Sequence, residues 1–389
     1  MGPGLVLDKS AVEAIGSNAL HVQSDLFYTV VTPILVWEIC GDIEKARRGK
    51  VEESKVRALA KKAKPFDSIV TTDWRKLCFG ELSGYRFNHP VPGNRRPVVE
   101  GAHRVPLPGG GYGEVLDEQP EARALLRWAH GDWSDDDHTY AESWRRTTRA
   151  LDLETFKRRF GPARKSPETI DDLKRLVELV LRDPSLQFFY VQFLLEEMAV
   201  TKAISLSIQN RWRGSHATTW QAKCPFTSHC VKTLVTFYLA LSGGIIGTRS
   251  TNRVDLEYLF YTPFAPIFVS GDLLSHGKLA PILLAQDQVF VSASDFRAAL
   301  QAEADRRAAL QEAGTPHGTE AWEPPEDSLL RSLWVKAWGK FRPPPSASAE
   351  RKSSDPPRPS TIMEEFKRAM DYVEAHPELY RRRPPWPQL

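Results

Sequence analysis

Four acidic side chains, Asp8, Glu38, Asp255 and Asp272, are placed where they could do chemistry together. Asp8 closes the apolar run Gly4-Leu5-Val6-Leu7, and Asp272 follows Pro266-Ile267-Phe268-Val269-Ser270 after one glycine. A buried parallel strand reads as such a run and delivers the residue after it to the carboxyl edge of its sheet. Glu38 lies in a helical pattern led by Pro33, and Asp255 opens a second pattern that stops at Pro263. Helices packed on the sheet can bring both acids to the same edge. Carboxylates gathered at one place repel each other unless a cation neutralises them. Oxygen donors select Mg²⁺ or Mn²⁺, ions that suit phosphate chemistry.

Other polar side chains flank this set. Ser10 and Ser270 could hydrogen-bond a metal-bound water or simply cap local turns. Asp42 shares a helix face with Glu38 and either supports the acids or faces solvent beside Lys45. His276 and Lys278 follow Asp272 and could touch phosphate, although ordinary surface polarity explains both more simply.

The elements that must position the acids come from both ends of the chain. Gly4 to Asp8 reads as a strand with a short helix from Ser10, and Phe27 to Val31 as a second strand. The helix from Pro33 continues through Arg48 into a basic stretch ending near Lys64. From residue 67 to 229 the character changes. Prolines and the run Gly109-Gly110-Gly111 break up residues 84–113, and helical patterns follow, the longest from Leu186 to Trp212. Strand-like sequence returns at Pro266–Ser270, Ile282–Ala285 and Val289–Ser292, before a helix from Ser294 to about Gln311. Residues 312–389 read as a proline-rich linker and tail, with one amphipathic stretch from Ile362 to Val373.

Composition sets outer bounds. The 389 residues are 41% hydrophobic and 26% charged, with a net charge of +3, which describes a globular protein with no overall nucleic-acid signature. Cys40, Cys78, Cys224 and Cys230 form no paired-ligand spacing, so buried thiols are expected rather than zinc. The apolar run 233–248 is short and glycine-containing, and reads as a core helix rather than a membrane span. Charged residues enter by Asp8, so no targeting segment and a cytoplasmic location are expected.

Taken together, Leu5-Val6-Leu7-Asp8-Lys9-Ser10, Thr32-Pro33-Ile34-Leu35-Val36-Trp37-Glu38, Asn252-Arg253-Val254-Asp255 and Ile267-Phe268-Val269-Ser270-Gly271-Asp272 resemble, in order, the four acidic motifs of the PIN-domain nuclease superfamily. The resemblance covers residues 1–66 and 230–301; a typical PIN domain lacks an insertion as long as 67–229. It implies a three-layer α/β/α core with a central parallel sheet, interrupted by a mostly helical insertion, with 230–311 completing the core. It also implies one or two Mg²⁺ or Mn²⁺ ions that activate water against a phosphodiester. RNA is favoured over DNA because the superfamily leans that way, and a toxin-like setting is compatible. A DNA nuclease with the same acids, or a weakly catalytic PIN-like scaffold for nucleic acid or a protein partner, are the alternatives. Basic residues interleaved with Trp144 and Phe156 in the insertion could bind a single strand, or could be ordinary solvated helices. The insertion or the C-terminal helix could dock a protein partner; no membrane association is expected.

Overall fold

The computed structural model describes residues 2–63, 68–84, 95–99, 102–106, 112–116, 119–154, 166–212, 222–313 and 323–341. The glycine run 109–111, Phe156 and the basic residues after it, and the 362–373 stretch lie outside these residues.

At the centre is a five-stranded, all-parallel sheet: β1 Gly4–Leu7, β2 Tyr28–Val31, β3 Ser68–Val70, β6 Ile267–Ser270 and β7 Val289–Ser292. Its order is β3-β2-β1-β6-β7, with Leu5 aligned to Thr29 on one side and to Ile267 on the other. Every residue of β1 and β6 is buried. Their apolar runs do not alternate because helices cover both faces of the sheet. A separate antiparallel pair is formed by β4 Ala102–Pro106 and β5 Tyr112–Leu116.

Around the sheet lie α1 Lys9–Ala14, α2 Leu20–Leu26, α3 Pro33–Arg47, α4 Glu53–Ala63 and α5 Trp74–Ser83. Next come α6 Pro120–His130, α7 Asp135–Ala150, α8 Ile170–Arg182, α9 Gln187–Glu197 and α10 Lys202–Trp212. The series ends with α11 Pro225–Ser242, α12 Thr251–Phe260, α13 His276–Leu283, α14 Ala293–Glu312 and α15 Leu329–Trp338. Helices α1, α2 and α15 gather around α14, while α5, α12 and α13 gather around α11. From β1 the chain adds strands in one direction, then returns and adds β6 and β7 in the other. Right-handed crossovers then put the connecting helices on opposite faces, giving an α/β sandwich with its reversal between β1 and β6.

Several expectations shift. The long helix from Pro33 is broken at Gly49, which takes a left-handed φ of 67°, and the segment Leu186–Trp212 divides at Ala199 (φ 54°). Strand β3 belongs to the central sheet although it lies beyond residue 66. Ile282 and Leu283 finish α13 instead of forming a strand, burying both side chains on the helix. Within 312–389, α15 docks on the core: Leu330, Leu333 and Trp334 share one face, and Trp334 packs on Phe27. Each such fully buried side chain stabilises the fold by roughly 1.5–3 kcal/mol. The run from Thr233 lies in α11, a buried helix, and among the described residues no helix is long and apolar enough to cross a membrane.

Candidate functional site

The strand order reverses between β1 and β6, whose carboxyl ends lie side by side. Asp8 follows β1 directly and caps α1, accepting from the Ala11 amide at 2.7 Å. Three further polar groups crowd its carboxylate. Ser10 Oγ lies 2.7 and 2.8 Å from its two oxygens, and Ser270 Oγ, at the end of β6, donates at 2.6 Å. Both serines also accept from the β6–α13 turn, Ser10 from the Gly271 amide and Ser270 from that of Asp272. A Cβ at Gly271 would stand 2.7 Å from Ser10 Oγ, so this close approach requires glycine.

The third group is His276, fully buried at the start of α13. Its Nε2 lies 2.7 Å from the backbone carbonyl of Asp255, which can only accept. Its Nδ1 lies 2.8 Å from Ser270 Oγ, whose proton is already given to Asp8. Both ring nitrogens therefore donate, and the ring is an imidazolium. Burial works against that charge, but the hydrogen bond and charge of Asp8, then the charge of Asp255, prevail and push His276 up to about 9. For Asp8, burial opposes ionisation, yet His276, Ser270 and Ser10 outweigh it and hold the carboxyl below its ordinary value.

The other acids are held more loosely. Burial pushes Asp255 up to about 7; His276 opposes the shift, while the charges of Glu38, Asp272 and Asp8 add to it. No hydrogen bond to its carboxylate is made among the described residues. Glu38 is raised by burial, with Asp8 and Asp42 repelling it and Tyr258 and Lys9 opposing the rise. The Tyr258 hydroxyl donates to Glu38 at 2.5 Å and joins α12 to α3. Asp272 accepts from the Leu274 and Ser275 amides, each at 3.0 Å. Asp255 is thus within electrostatic reach of the other three acids, and Glu38 within reach of Asp8. Among the described residues, however, no three His, Cys, Asp or Glu side chains are arranged as they stand to hold a metal ion.

Some assignments need correction. His276 is not a surface polar residue but ties three elements of the site together, while the half-buried Lys278 donates to the Ile245 carbonyl at 2.6 Å. Asp42 does not face solvent. It is buried and bridges Lys9 and Lys45, each at 2.5 Å, because burial makes an unpaired carboxylate costly. Asp255 does not open its helix, since α12 begins at Thr251. The four thiols are free and buried, as expected, and His229 Nε2 meets the Leu259 carbonyl at 2.8 Å. Tyr258 was missed, and His276 was considered for phosphate contact but not as a partner of Asp8. Tyr258 had a readable signal, lying one helical turn beyond Asp255 on the same face.

Comparison with protein-family models, with curated proteins and with solved structures found no match to this chain.

Proposed function

We propose that the chain is a metal-dependent endonuclease of PIN type that hydrolyses phosphodiester bonds, with RNA the preferred substrate. The observation that carries this reading is the gathering of Asp8, Glu38 and Asp272 around Asp255, which burial first and then their three charges push up to about 7. The donor set is oxygen only and suits Mg²⁺ or Mn²⁺. Glu38 and Asp255, the acids held above the ordinary carboxyl value, gain most from a nearby cation; Asp272 and Asp8 complete the set. A bound ion would supply a hydroxide-like nucleophile near neutral pH and shield the phosphate charge. The protein's own part is to orient: Ser10, Ser270 and His276 fix Asp8, and Tyr258 fixes Glu38. On this reading, residues 67–229 are an insertion into the PIN-like core that shapes the substrate cleft.

A second reading, a weakly catalytic PIN-like scaffold, is favoured by the built-in cations. His276 stands beside Asp8, and Lys9 feels the charges of Asp42 and Glu38, so part of the acidic charge is compensated without any ion. Cleavage of end-labelled single-stranded RNA and DNA with Mg²⁺ or Mn²⁺ separates the readings. Metal-dependent cutting, lost in Asp8→Asn and Asp272→Asn, supports the nuclease and identifies its preferred strand. No cutting of either strand, with no metal binding by calorimetry, overturns the nuclease and moves the scaffold reading to first place.

A further inference from the structure

Between Pro33 and Glu44, helix α3 is buried except at two neighbouring positions: Trp37 is exposed and Glu38 partly so. Trp37 is 38% exposed, an unfavourable place for a large apolar ring. It does not stand alone. Trp144 of α7 stacks on it at 5.9 Å between centroids, and Tyr140, one turn earlier and 54% exposed, meets it edge-on at 6.1 Å.

Trp144 also forms a wall of a cavity of about 220 Å³ between α7 and α12, whose lining includes Thr148, Arg253, Val254 and Glu257. Val254 immediately precedes Asp255 in α12 and Trp37 immediately precedes Glu38 in α3, and Trp144 meets both the Trp37 ring and the cavity. The guanidinium of Arg253 is committed to Glu197 at 2.9 Å and to Glu257 at 3.2 Å. The cavity therefore offers a ring and hydroxyls more readily than an uncompensated positive charge, which suits a base better than a phosphate.

We infer that Trp37, Tyr140 and Trp144 form a stacking platform for the unpaired bases of a single-stranded nucleic acid beside the acidic edge. Trp37 and Glu38 are the two neighbouring positions at which this part of α3 is not buried, so a strand stacked on the ring passes the accessible side of the helix that also carries Glu38. Stacking accepts any base because every base has a π-face. The platform thus selects for strandedness rather than sequence. A duplex keeps its faces internally stacked and has none to offer. This inference rests on the nuclease reading for its biological sense but not for its test.

The test is fluorescence anisotropy of a fluorescein-labelled single-stranded RNA with the full chain in EDTA, where metal-dependent cutting is absent. The expected result is that Trp37→Ala weakens binding roughly tenfold, within the range of about 5- to 150-fold that loss of one stacked base implies. An RNA with abasic residues should bind the wild type weakly and be indifferent to Trp37→Ala, and duplex RNA should bind weakly to both. Tyr140→Ala provides a second variant, with far-UV circular dichroism to verify folding. Equal binding of intact and abasic strands, or of single strand and duplex, overturns the platform, as does wild-type affinity in both folded variants. Base-dependent binding with no cutting when metal is restored sinks the nuclease reading alone. Cutting without base-dependent binding sinks the platform alone.

Discussion

The His276 ring stands 3.5 Å from the Asp8 carboxylate, with the Ser270 hydroxyl between them donating to one and accepting from the other. This pairing, and the bond from the same ring to the Asp255 carbonyl, fasten α13 and α12 to the end of β1. Removing the ring leaves buried polar groups without partners. His276→Ala should therefore destabilise the fold by about 3–5 kcal/mol in urea unfolding. A loss below about 1 kcal/mol would show that water or a neighbour replaces the ring without cost.

The same ring gives stability a sign with pH. Its folded value of about 9 exceeds the ordinary histidine value of 6.5. The contribution is then fully present below 6.5 and is lost as pH rises through 9. Unfolding free energy should fall across this window by on the order of 3 kcal/mol, and the fall should be absent in His276→Gln. An unchanged slope in the variant would assign the effect to other groups.

Asp255 acts in a lower window. Its folded value of about 7 lies above the unfolded 3.8, so the unfolded chain ionises first and stability declines as pH rises from about 4 to 7. Asp255→Asn should remove this decline. At pH 8 it should stabilise the protein by on the order of 1–3 kcal/mol, after discounting for partial exposure, while abolishing cleavage. A destabilised variant would mean that the carboxylate is held by contacts rather than strained by them.

Divalent cations should relieve the same repulsion. At a hundredfold excess over Kd, Mg²⁺ or Mn²⁺ should add about 2.7 kcal/mol to stability, and chelation should remove it. Thermal unfolding of the wild type and of Asp255→Asn, with and without Mn²⁺, measures this directly. An equal rise in both proteins would place the binding elsewhere.

Gly41 of α3 packs directly against Trp144 of α7. A Cβ there would meet the Trp144 ring at 2.8 Å. Gly41→Ala should cost about 1–3 kcal/mol by overpacking and should disturb the Trp37–Trp144 stack. Near-ultraviolet circular dichroism will register the change, and an unaltered spectrum would show that α7 yields without moving its ring.

The strands that carry Asp8 and Asp272 were readable because each is a continuous apolar run, a pattern that only burial on both faces sustains. Glu38 was readable from the proline that leads its helix, since Pro33 takes the first helical position and Thr32 caps it. Asp255 was placed on the right helix but at its start, because nothing local distinguishes Ser250 and Thr251 as the true opening. His276 could not be read. Its burial depends on β6, α12 and α13 meeting, and an isolated Ser-His-Gly reads as a polar turn. The docking of α15 was hidden by the prolines and charges around Leu330 and Trp334, which resemble linker sequence until Phe27 is set beside them.

Strand β1 takes both of its neighbours from later in the chain, β2 promptly and β6 only after a long delay. The bond from Ser270 to Asp8 spans 262 residues. At a synthesis rate of about 5–20 residues per second, β1 waits roughly ten to fifty seconds on the ribosome with one edge unpaired. The acids of β1 and α3 cannot meet those of α12 and the β6 turn during that interval. On the proposed nuclease reading, the nascent chain carries only part of its acidic set throughout that interval, while β1 keeps one edge without its partner strand.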